Sequence, residues 1–534
     1  MFSKALFLMV LLVGSLGAAD HDRKGPVLLP SPGDAQVIFP SSLSDGDLPE
    51  LVIELPPLKA DELAQWDAAK EKEPRIAGFY RPVPEVVLEF TDLQWLALPT
   101  GEWATAVKFV SPGADMLRVA FSFEVAPRDT RLVVQGSETT DRVTGDSWYA
   151  HELEEGSLAW AAALGDSLRM VLSLPGDQMP QAGRLIVSKV SHVLFSPPSS
   201  DISTQADGIS QMSWCHVNPK CSRVEGVSWA ELATFKLFVS GPQGDGMCTG
   251  ALVNNKDQEY FAFTNNHCVS TQTQASGITT LWQYEAASCF PGVMQGVTMS
   301  GGARLLRTSE ALDVTLLDLG RPPPGRPALL GWDPEPPRIG EVLMMVAHSG
   351  GGPKTLVMTQ DFQVSPNPSN TAPVASSLVL SGYAEGGSSG AAKVDEWGYV
   401  RAVHWGGSQV PCVGSNQVLF STPASEIERV FGNLLWPVSD TPWGGGGSTG
   451  GDGGSTGGGG VSTGGGGGSM SPFALVLILL GILARSTRLA SLEVGTLRQG
   501  VGLWINGGRR GRANASIRLA LGEPARSVPE INHR

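Results

Sequence analysis

Alternating apolar and polar residues form the clearest pattern in the first half of the chain. From Leu117 to Val125 the odd positions carry large apolar side chains, and the even positions from Arg118 to Glu124 are small or charged. The same alternation recurs at Leu168, Met170, Leu172 and Leu174. A period of two residues is typical of a strand that buries one face and exposes the other. The pattern therefore predicts half-buried strands, with Arg118 on the polar face.

Turn-forming residues divide the chain into two β-rich regions. Pro, Gly and Asp separate the apolar runs up to residue 195, and short strands between turns predict an N-terminal β-sandwich within residues 20–205. Residues 199–213 lack periodicity and are interpreted as a linker. From 206 to 438 the apolar runs are again short and punctuated by Gly and Pro. The predicted fold class is all-β.

The N-terminal residues have the pattern of a secretory signal. Lys4 supplies a positive charge, residues 5–13 are apolar, and the small residues at 17–19 suit cleavage. We therefore predict a signal peptide over residues 1–19 and an exported protein. A buried N-terminal helix is the alternative.

The C-terminal residues fall into three parts. Residues 439–470 are rich in Gly, Ser and Thr and predict a flexible linker without a core. An apolar run at 472–484 follows, within a segment 471–488 that carries arginines at its end, and residues 489–534 form an Arg-containing tail. The thirteen residues of the run span about 20 Å as a helix, which is less than the ~30 Å core of a bilayer.

This tripartite arrangement resembles the Gly-rich C-terminal sorting signals of Gram-negative bacteria, which a rhomboid-type sorting protease cuts. The resemblance implies that sorting protease as a partner, membrane contact through residues 472–484, and arginines that stay cytoplasmic. An ordinary C-terminal anchor is the alternative. The expected location is extracellular or at a bacterial cell surface.

Charge and cysteine content narrow the possible functions. The formal net charge is −14, which argues against nucleic acid as a partner because phosphate contacts need clustered Lys and Arg. All six cysteines lie between residues 215 and 412. In an exported protein they predict three disulfides, although six cysteines permit 15 pairings. A zinc site is the rival interpretation, but no CxxC pair supports it.

Three separated segments carry the residue types of nucleophilic catalysis. The first ends in His267, the second contains Asp313 in an apolar stretch, and the third contains Ser389 between small residues. A serine hydroxyl is a poor nucleophile until a base removes its proton, and histidine has a pKa near neutrality. An isolated Asp among apolar residues must be paired. Taken alone, the serine segment is more typical of an ordinary loop than of a catalytic site, and His267 alone would fit a buried structural histidine.

These segments resemble the His, Asp and Ser motifs of chymotrypsin-fold serine peptidases, in that chain order. They are most similar to the bacterial lysyl endopeptidase branch, whose motifs are Ala/Asn-His-Cys, Asp-x-Thr-Leu-Leu and Gly-Ser-Ser-Gly. Residues 266–268, 313–317 and 387–390 match these three motifs. The resemblance covers about residues 210–435 and implies a two-barrel β fold for residues 206–438.

The resemblance implies a role for each residue. Ser389 would be the nucleophile, His267 the general base, and Asp313 the hydrogen-bonding partner of that base. The backbone N–H groups of Gly387 and Ser389 would form the oxyanion hole. Hydrolysis would proceed through an acyl-enzyme and would need neither a metal nor another cofactor.

The resemblance also implies a disulfide pairing, which the cysteine count alone leaves open. The implied bonds are Cys215–Cys412, Cys221–Cys289 and Cys248–Cys268. Each bond would restrict the unfolded chain and stabilise the fold by roughly 2–4 kcal/mol.

Protein or peptide substrates are expected, and the candidate substrate-binding residues are Glu385, His404, Trp405 and Gly406. Residues 404–406 resemble the strand on which such peptidases pair with the substrate backbone, with Trp405 and Gly406 as one wall of the primary pocket. The chain departs from the lysyl endopeptidase pattern after Cys412, where no acid is present to bind a substrate Lys. Lys specificity is therefore not carried over, and Glu385 leaves a basic preference open.

A second departure concerns activation. Trypsin-type zymogens use an Asp directly before the nucleophile to pair with a newly freed N-terminus, and this chain has Ser388 there. We therefore expect activation by removal of the N-terminal region near residues 200–213, with residues 20–200 as a propeptide or accessory domain. A non-catalytic surface adhesin that reuses the protease fold is the main alternative. An esterase of another fold is disfavoured, because Ser389 lacks a G-x-S-x-G elbow.

Overall fold

The structure is a computed structural model, and it describes residues 25–30, 48–73, 75–83, 85–136, 147–153, 157–176, 179–195, 215–242, 244–289, 294–366, 373–408, 410 and 416–436. The predicted signal peptide, both predicted linkers and every residue after 436 lie outside the described residues. Among the helices that are described, none combines the length and hydropathy of a membrane-spanning segment.

Two β-sheets build the N-terminal part, which we define as residues 48–195. The described strands up to residue 195 are β1 (Val27–Leu28), β2 (Glu50–Glu54), β3 (Ile76–Tyr80), β4 (Val86–Glu89), β5 (Leu96–Ala97), β6 (Glu102–Val110), β7 (Met116–Val125), β8 (Arg131–Gly136), β9 (Ser147–Tyr149), β10 (Ala159–Leu164), β11 (Ser167–Pro175) and β12 (Arg184–Val193). One sheet has the order β2-β6-β11-β8-β9, with β5 beside β6. The other contains β10-β7-β12-β3, with β4 also paired to β12.

The apolar faces of these two sheets meet in one core. Its buried side chains include Val107, Phe121, Leu132, Met170 and Leu185, contributed by strands of both sheets. Burial of apolar surface is the main favourable term in folding, so the alternating residues of β7 and β11 hold the sheets face to face.

Helix α1 (Ala60–Lys72) is a departure from the predicted all-β class. Its residues are mostly Ala, Leu, Glu, Gln and Lys, which favour a helix. Asp61 and Glu62 lie in the first turn and Lys70 and Lys72 in the last, where the helix dipole favours their charges. The Glu62 carboxylate accepts a hydrogen bond from the Lys59 N–H at 2.8 Å, which supports the start of the helix.

The prediction that Arg118 lies on a polar, exposed strand face is wrong. Arg118 on β7 is 0% exposed. Its guanidinium pairs with the equally buried Asp245 carboxylate and lies 4.5 Å from the centroid of the Trp160 ring. The second face of β7 is buried because it packs against the part of the chain that follows residue 214. We call residues 215–436 the cysteine-bearing part.

The cysteine-bearing part is also mainly β. Its strands are β13 (Thr234–Ser240), β14 (Gly244–Leu252), β15 (Phe261–Thr264), β16 (Thr279–Ala286), β17 (Met294–Met299), β18 (Arg304–Ser309), β19 (Val314–Asp318), β20 (Ala328–Leu329), β21 (Gly331–Trp332), β22 (Val342–Ala347), β23 (Thr355–Pro366), β24 (Pro373–Ser381), β25 (Ala392–Val394), β26 (Tyr399–Gly407) and β27 (Val418–Pro423). Its helices are α2 (Glu225–Ala233), α3 (Gln272–Ser276) and α4 (Ala424–Leu435).

Strands β13 to β19 form a β-barrel that is joined to the N-terminal part. Within it, β14 pairs with β13 and β15, β15 continues through β19 to β18, and β13 continues through β16 to β17. Strand β3 of the N-terminal part pairs with the edge of β14, with Gly244 opposite Phe79 and Asp245 opposite Gly78. One sheet therefore runs without interruption from the N-terminal part into the cysteine-bearing part.

A seven-stranded sheet forms the rest of the cysteine-bearing part. Its order is β21-β26-β25-β22-β23-β24-β27, and β26 also pairs with β27. A large core joins this sheet to the barrel and includes Phe263, Trp332, Val400 and Phe431. Helix α4 contributes Phe431 and so closes one end of this core.

Strand β1 packs on the cysteine-bearing part, although it precedes the N-terminal part in the chain. Val27 lies opposite Leu329, and the Asn254 side chain donates a hydrogen bond to the Gly25 carbonyl at 2.7 Å. Leu29, directly after β1, is 7% exposed and belongs to the core of the cysteine-bearing part, whereas Leu28 is 38% exposed. The segment 25–29 is therefore a structural element of the cysteine-bearing part.

We predict that Leu29→Ala lowers the free energy of unfolding by about 2–3 kcal/mol, because it removes a buried side chain from a packed core. Leu28→Ala, one residue away and exposed, should change it by less than ~0.5 kcal/mol. Denaturant unfolding of both full-length variants would measure this difference. Equal effects of the two substitutions would show that β1 is not docked as described.

Candidate functional site

His267 and Asp313 are joined by two hydrogen bonds. The ring Nδ1 of His267 lies 2.6 Å from Asp313 Oδ2, and the His267 backbone N–H donates to Asp313 Oδ1 at 2.9 Å. Both carboxylate oxygens are therefore used to orient one histidine. Since Nδ1 faces the carboxylate, the other ring nitrogen, Nε2, is left to exchange a proton with a third group.

Asp313 reaches this position through an unusual backbone conformation. It lies just before β19 at φ 50°, in the left-handed region that Asp and Asn tolerate better than most residues. Its backbone carbonyl accepts a hydrogen bond from the Asn265 side chain at 2.7 Å, and its N–H donates to the Glu310 carbonyl at 3.1 Å. These bonds fix the carboxylate beside His267.

Ser389 lies on a tight turn between two glycines of positive φ. Gly387 has φ 98° and Gly390 has φ 91°. A Cβ atom on Gly387 would lie 2.6 Å from the His348 carbonyl oxygen, and one on Gly390 would lie 2.1 Å from the Thr249 carbonyl oxygen. Only glycine fits both positions, which explains the small residues around Ser389.

Two backbone N–H groups at this turn have no hydrogen-bond acceptor within the described part of the chain. They belong to Gly387 and Ser389, whereas the neighbouring Ser388 and Gly390 N–H groups donate to the carbonyls of Glu385 and His404 at 3.0 and 2.9 Å. Most backbone N–H groups in the interior of folded proteins have a hydrogen-bond partner. Two of them at one turn are suited to stabilising a negatively charged oxygen.

Two neighbouring residues of β14, Cys248 and Thr249, connect this strand to the histidine segment and to the serine turn. The Thr249 N–H donates to the Ser389 carbonyl at 2.8 Å, and the Thr249 hydroxyl donates to the Gly387 carbonyl at 2.7 Å. The preceding residue, Cys248, forms a disulfide to the residue that follows His267. Among the described residues, no hydrogen bond joins the Ser389 hydroxyl to His267. Catalytic bonds of this kind often tighten only when substrate binds.

Two of the implied disulfides are present, Cys221–Cys289 and Cys248–Cys268. Cys215 is also disulfide-bonded, and its implied partner, Cys412, lies outside the described residues. The sulfurs of Cys248 and Cys268 lie within 4.8 Å of a ring nitrogen of His267, as metal ligands would. However, the two sulfurs are bonded to each other, so this cluster offers no thiolate for a metal.

The candidate substrate-binding residues lie around the serine turn in different environments. The His404 side chain is buried, burial lowers its pKa to about 3, and both its backbone N–H and its carbonyl are bonded within the protein. Trp405 is half-buried and stacks on Phe420 at 5.5 Å between ring centroids. Gly406 has open space where a side chain would stand. The Glu385 carboxylate lies 3.1 Å from His216 Nε2.

The N-terminal part reaches this site at residues that the sequence did not identify. The Arg75 guanidinium donates to the His267 carbonyl at 2.8 Å, and the Met247 N–H donates to the Arg75 carbonyl at 2.7 Å. A cavity of about 620 Å³ is lined by α1, β3 and the β13–β14 turn and extends to His267. The N-terminal part therefore contributes one wall of the space beside the histidine.

Solved proteases resemble part of the chain at low identity. The active form of the Rv3671c protease from M. tuberculosis is 20% identical, covers 41% of this chain and 87% of its own, and has a TM-score of 0.30. The HtrA-type protease AlgW with a tripeptide is 17% identical, covers 40% of this chain and 64% of its own, and also has a TM-score of 0.30.

Two family models match the chain. The lysyl endopeptidase N-terminal domain matches residues 54–194, and the lysyl endopeptidase C-terminal domain matches residues 209–417, so that together they cover more than half of the chain. A lysyl endopeptidase of Pseudomonas aeruginosa is 27% identical over 294 residues, which are 52% of this chain. The matched stretch spans only 62% of that relative's own length. The chain belongs to the lysyl endopeptidase family of serine proteases.

Proposed function

We propose that this chain is an exported serine endopeptidase in which Ser389, His267 and Asp313 act together. The observation that carries the proposal is the serine turn held by β14 beside a histidine whose Nδ1 is engaged by a carboxylate at 2.6 Å. The two unpartnered N–H groups of Gly387 and Ser389 add the second requirement of acyl transfer, a site for the oxyanion.

The proposed reaction follows from these positions. His267 Nε2 takes the proton of the Ser389 hydroxyl as its oxygen attacks the peptide carbonyl. Asp313 stabilises the imidazolium, and the N–H groups of Gly387 and Ser389 bind the oxyanion of the tetrahedral intermediate. The imidazolium then protonates the leaving amine, and an acyl-enzyme remains on Ser389. Water, deprotonated by the same histidine, releases the acid product.

Labelling with a serine-reactive fluorophosphonate tests this proposal. We expect the secreted protein to be labelled and to cleave peptides, and Ser389→Ala to abolish both. The Ser270→Ala variant is the matched control, since Ser270 is an exposed serine three residues after His267 whose hydroxyl donates to the Gln274 side chain. A wild-type protein that folds but is neither labelled nor active would favour the adhesin alternative.

We interpret the two halves of the cysteine-bearing part as the two barrels of a chymotrypsin-like fold. The seven-stranded sheet supports this interpretation, because the pairing of β26 with β27 closes the strands from β26 to β27 into a ring. In this arrangement the first barrel supplies His267 and Asp313, and the second supplies Ser389.

We further propose that the N-terminal part is a propeptide that restrains the site. The bond from Arg75 to the His267 carbonyl and the pairing of β3 with the edge of β14 support this proposal, because they hold the N-terminal part against the residues of the site. Burial lowers the pKa of Lys70 on α1, and the nearby Glu385 carboxylate partly offsets this lowering, which is consistent with α1 lying near the serine turn.

We expect cleavage within residues 199–213, followed by release of the N-terminal part, to raise peptidase activity at least about tenfold, equivalent to ~1.4 kcal/mol of lost blocking interaction. In the uncut chain, Arg75→Ala should raise the residual activity, and the exposed Arg128→Ala should not. N-terminal sequencing identifies the position of the cut, and active-site titration gives the peptidase activity per active enzyme. A fully active protein that begins near Asp20 would rule out the propeptide role.

The remaining elements of the proposal rest on the sequence. Peptides or proteins are the proposed substrates, and Trp405 and Gly406 the proposed wall of the primary pocket. An extracellular or cell-surface location rests on the signal pattern in residues 1–19 and on the sorting-like segment 471–488. A peptide library cleaved by the secreted protein would identify the preferred residue before the scissile bond.

A further inference from the structure

The turn before Ser389 is held without the acidic residue that trypsin-type enzymes use there. Ser388 is 0% exposed, and its hydroxyl lies 2.9 Å from the Ser349 hydroxyl. The Glu385 N–H donates to the Ser388 hydroxyl at 3.3 Å, and the Gly350 N–H donates to the Gly386 carbonyl at 2.8 Å. All of these are bonds between neutral groups, and none of them involves the Glu385 carboxylate.

The carboxylate of this turn, that of Glu385, lies beside a histidine. Glu385 Oε1 lies 3.1 Å from His216 Nε2, and the His216 side chain is only 3% exposed. A Cβ atom on Gly350, which has φ 63°, would lie 2.8 Å from the same Glu385 oxygen. The carboxylate thus lies between the histidine ring and Gly350, with 37% of the Glu385 side chain exposed.

His216 is itself fixed on both sides. Cys215 before it is disulfide-bonded, and Val217 after it accepts a 2.7 Å hydrogen bond from the Leu356 N–H on β23. The His216 ring also lies 6.2 Å from the Tyr383 ring, centroid to centroid. The histidine is therefore a rigid point against which Glu385 can be held.

We propose that His216 is a positioning residue, which through Glu385 holds the Glu385–Ser389 turn in the conformation that directs the Gly387 and Ser389 N–H groups toward the reacting carbonyl. This inference rests on the proposed function. In trypsin-type enzymes a freed N-terminus pairs with an Asp before the nucleophile. Here His216, near the start of the cysteine-bearing part, and Glu385 would have the corresponding role. It also gives Glu385 a partner within the protein, in place of a substrate side chain.

The charge of Lys70 also acts on Glu385. Lys70 belongs to α1 of the N-terminal part, whereas His216 belongs to the cysteine-bearing part. Release of the N-terminal part therefore removes Lys70 and leaves the His216–Glu385 contact in place. The positioning role consequently applies to the processed enzyme as well as to the intact chain.

The test compares His216→Ala, Glu385→Ala and the double variant in the full chain, together with His216→Gln, which keeps a polar side chain. Two rates are measured, fluorophosphonate labelling of Ser389 and kcat with peptides that carry either Lys or Leu before the scissile bond. We expect each single alanine to slow both rates by at least about tenfold on every substrate, with little change in KM. The double variant should be no slower than the worse single variant, and His216→Gln should recover part of the loss.

Thermal unfolding of each variant distinguishes a loss of fold from a change in the conformation of the Glu385–Ser389 turn. His151→Ala, an exposed histidine of the N-terminal part, is the matched control and should leave both rates unchanged. If Glu385→Ala slows only Lys substrates and leaves labelling unchanged, Glu385 is a pocket residue and the inference is wrong. Additive losses in the double variant would also overturn it. A folded wild type that is never labelled would overturn the proposed function itself.

Discussion

Replacing Asp313 with Asn is expected to lower kcat by about four orders of magnitude with the fold intact. The carboxylate now accepts hydrogen bonds from both the ring and the backbone of His267, at 2.6 and 2.9 Å. An amide at this position can donate to the ring, which favours the tautomer with the proton on Nε2. That nitrogen then cannot take the proton of Ser389.

Steady-state cleavage of a fluorogenic peptide, with thermal unfolding alongside, measures this effect. Asp318→Asn is the matched control, because Asp318 lies at the other end of β19 and pairs with Arg304 near the surface. The control should keep kcat within a few-fold of the parent protein. An Asp313→Asn variant that stays within tenfold of the parent would exclude Asp313 from the catalytic group.

Replacing Arg118 with Met is expected to destabilise the protein by about 3–5 kcal/mol, because it leaves the Asp245 carboxylate buried without its charge partner. Both side chains are 0% exposed, and the pair joins the N-terminal part to the cysteine-bearing part. Removing both charges in Arg118→Met/Asp245→Leu should recover much of this loss, since an apolar pair carries no desolvation cost.

Denaturant unfolding of the full chain measures these differences. Arg184→Met is the control, because Arg184 pairs with Glu89 and Glu124 on the surface and should change the unfolding midpoint little. Equal destabilisation by Arg118→Met and Arg184→Met would show that the interface between the two parts is open to water in solution.

The residues of the candidate site could be proposed from the sequence because they lie in short motifs built from a few residue types. His267, Asp313 and Ser389 each lie in a segment whose small or paired neighbours are required locally. Glycine at 387, for example, is required by a carbonyl oxygen that would lie 2.6 Å from a Cβ atom. Such local requirements leave a pattern in the sequence even when the residues are far apart in the chain.

The contacts between the two parts were not predictable in this way. Alternation along β7 identifies the face that fills the sandwich core, but it cannot show that a second sheet covers Arg118. Arg75 lies outside every periodic run, and its contact with His267 depends on how β3 meets β14. The His216–Glu385 contact joins residues 169 positions apart in the numbering, with no motif around the histidine to suggest it.

Because β1 is docked on the cysteine-bearing part, a single cleavage of the chain does not release the N-terminal part. The first described residues pair with the cysteine-bearing part, residues 48–195 form the N-terminal part, and the chain then continues into the cysteine-bearing part itself. After one break between residues 196 and 214, the two products would still be tethered at Leu29 as well as along β3. Complete release of the N-terminal part then requires a second break between residues 31 and 47, or dissociation of β1 from β20. Shedding of the N-terminal part should accordingly proceed in two stages, the first of which leaves both pieces together.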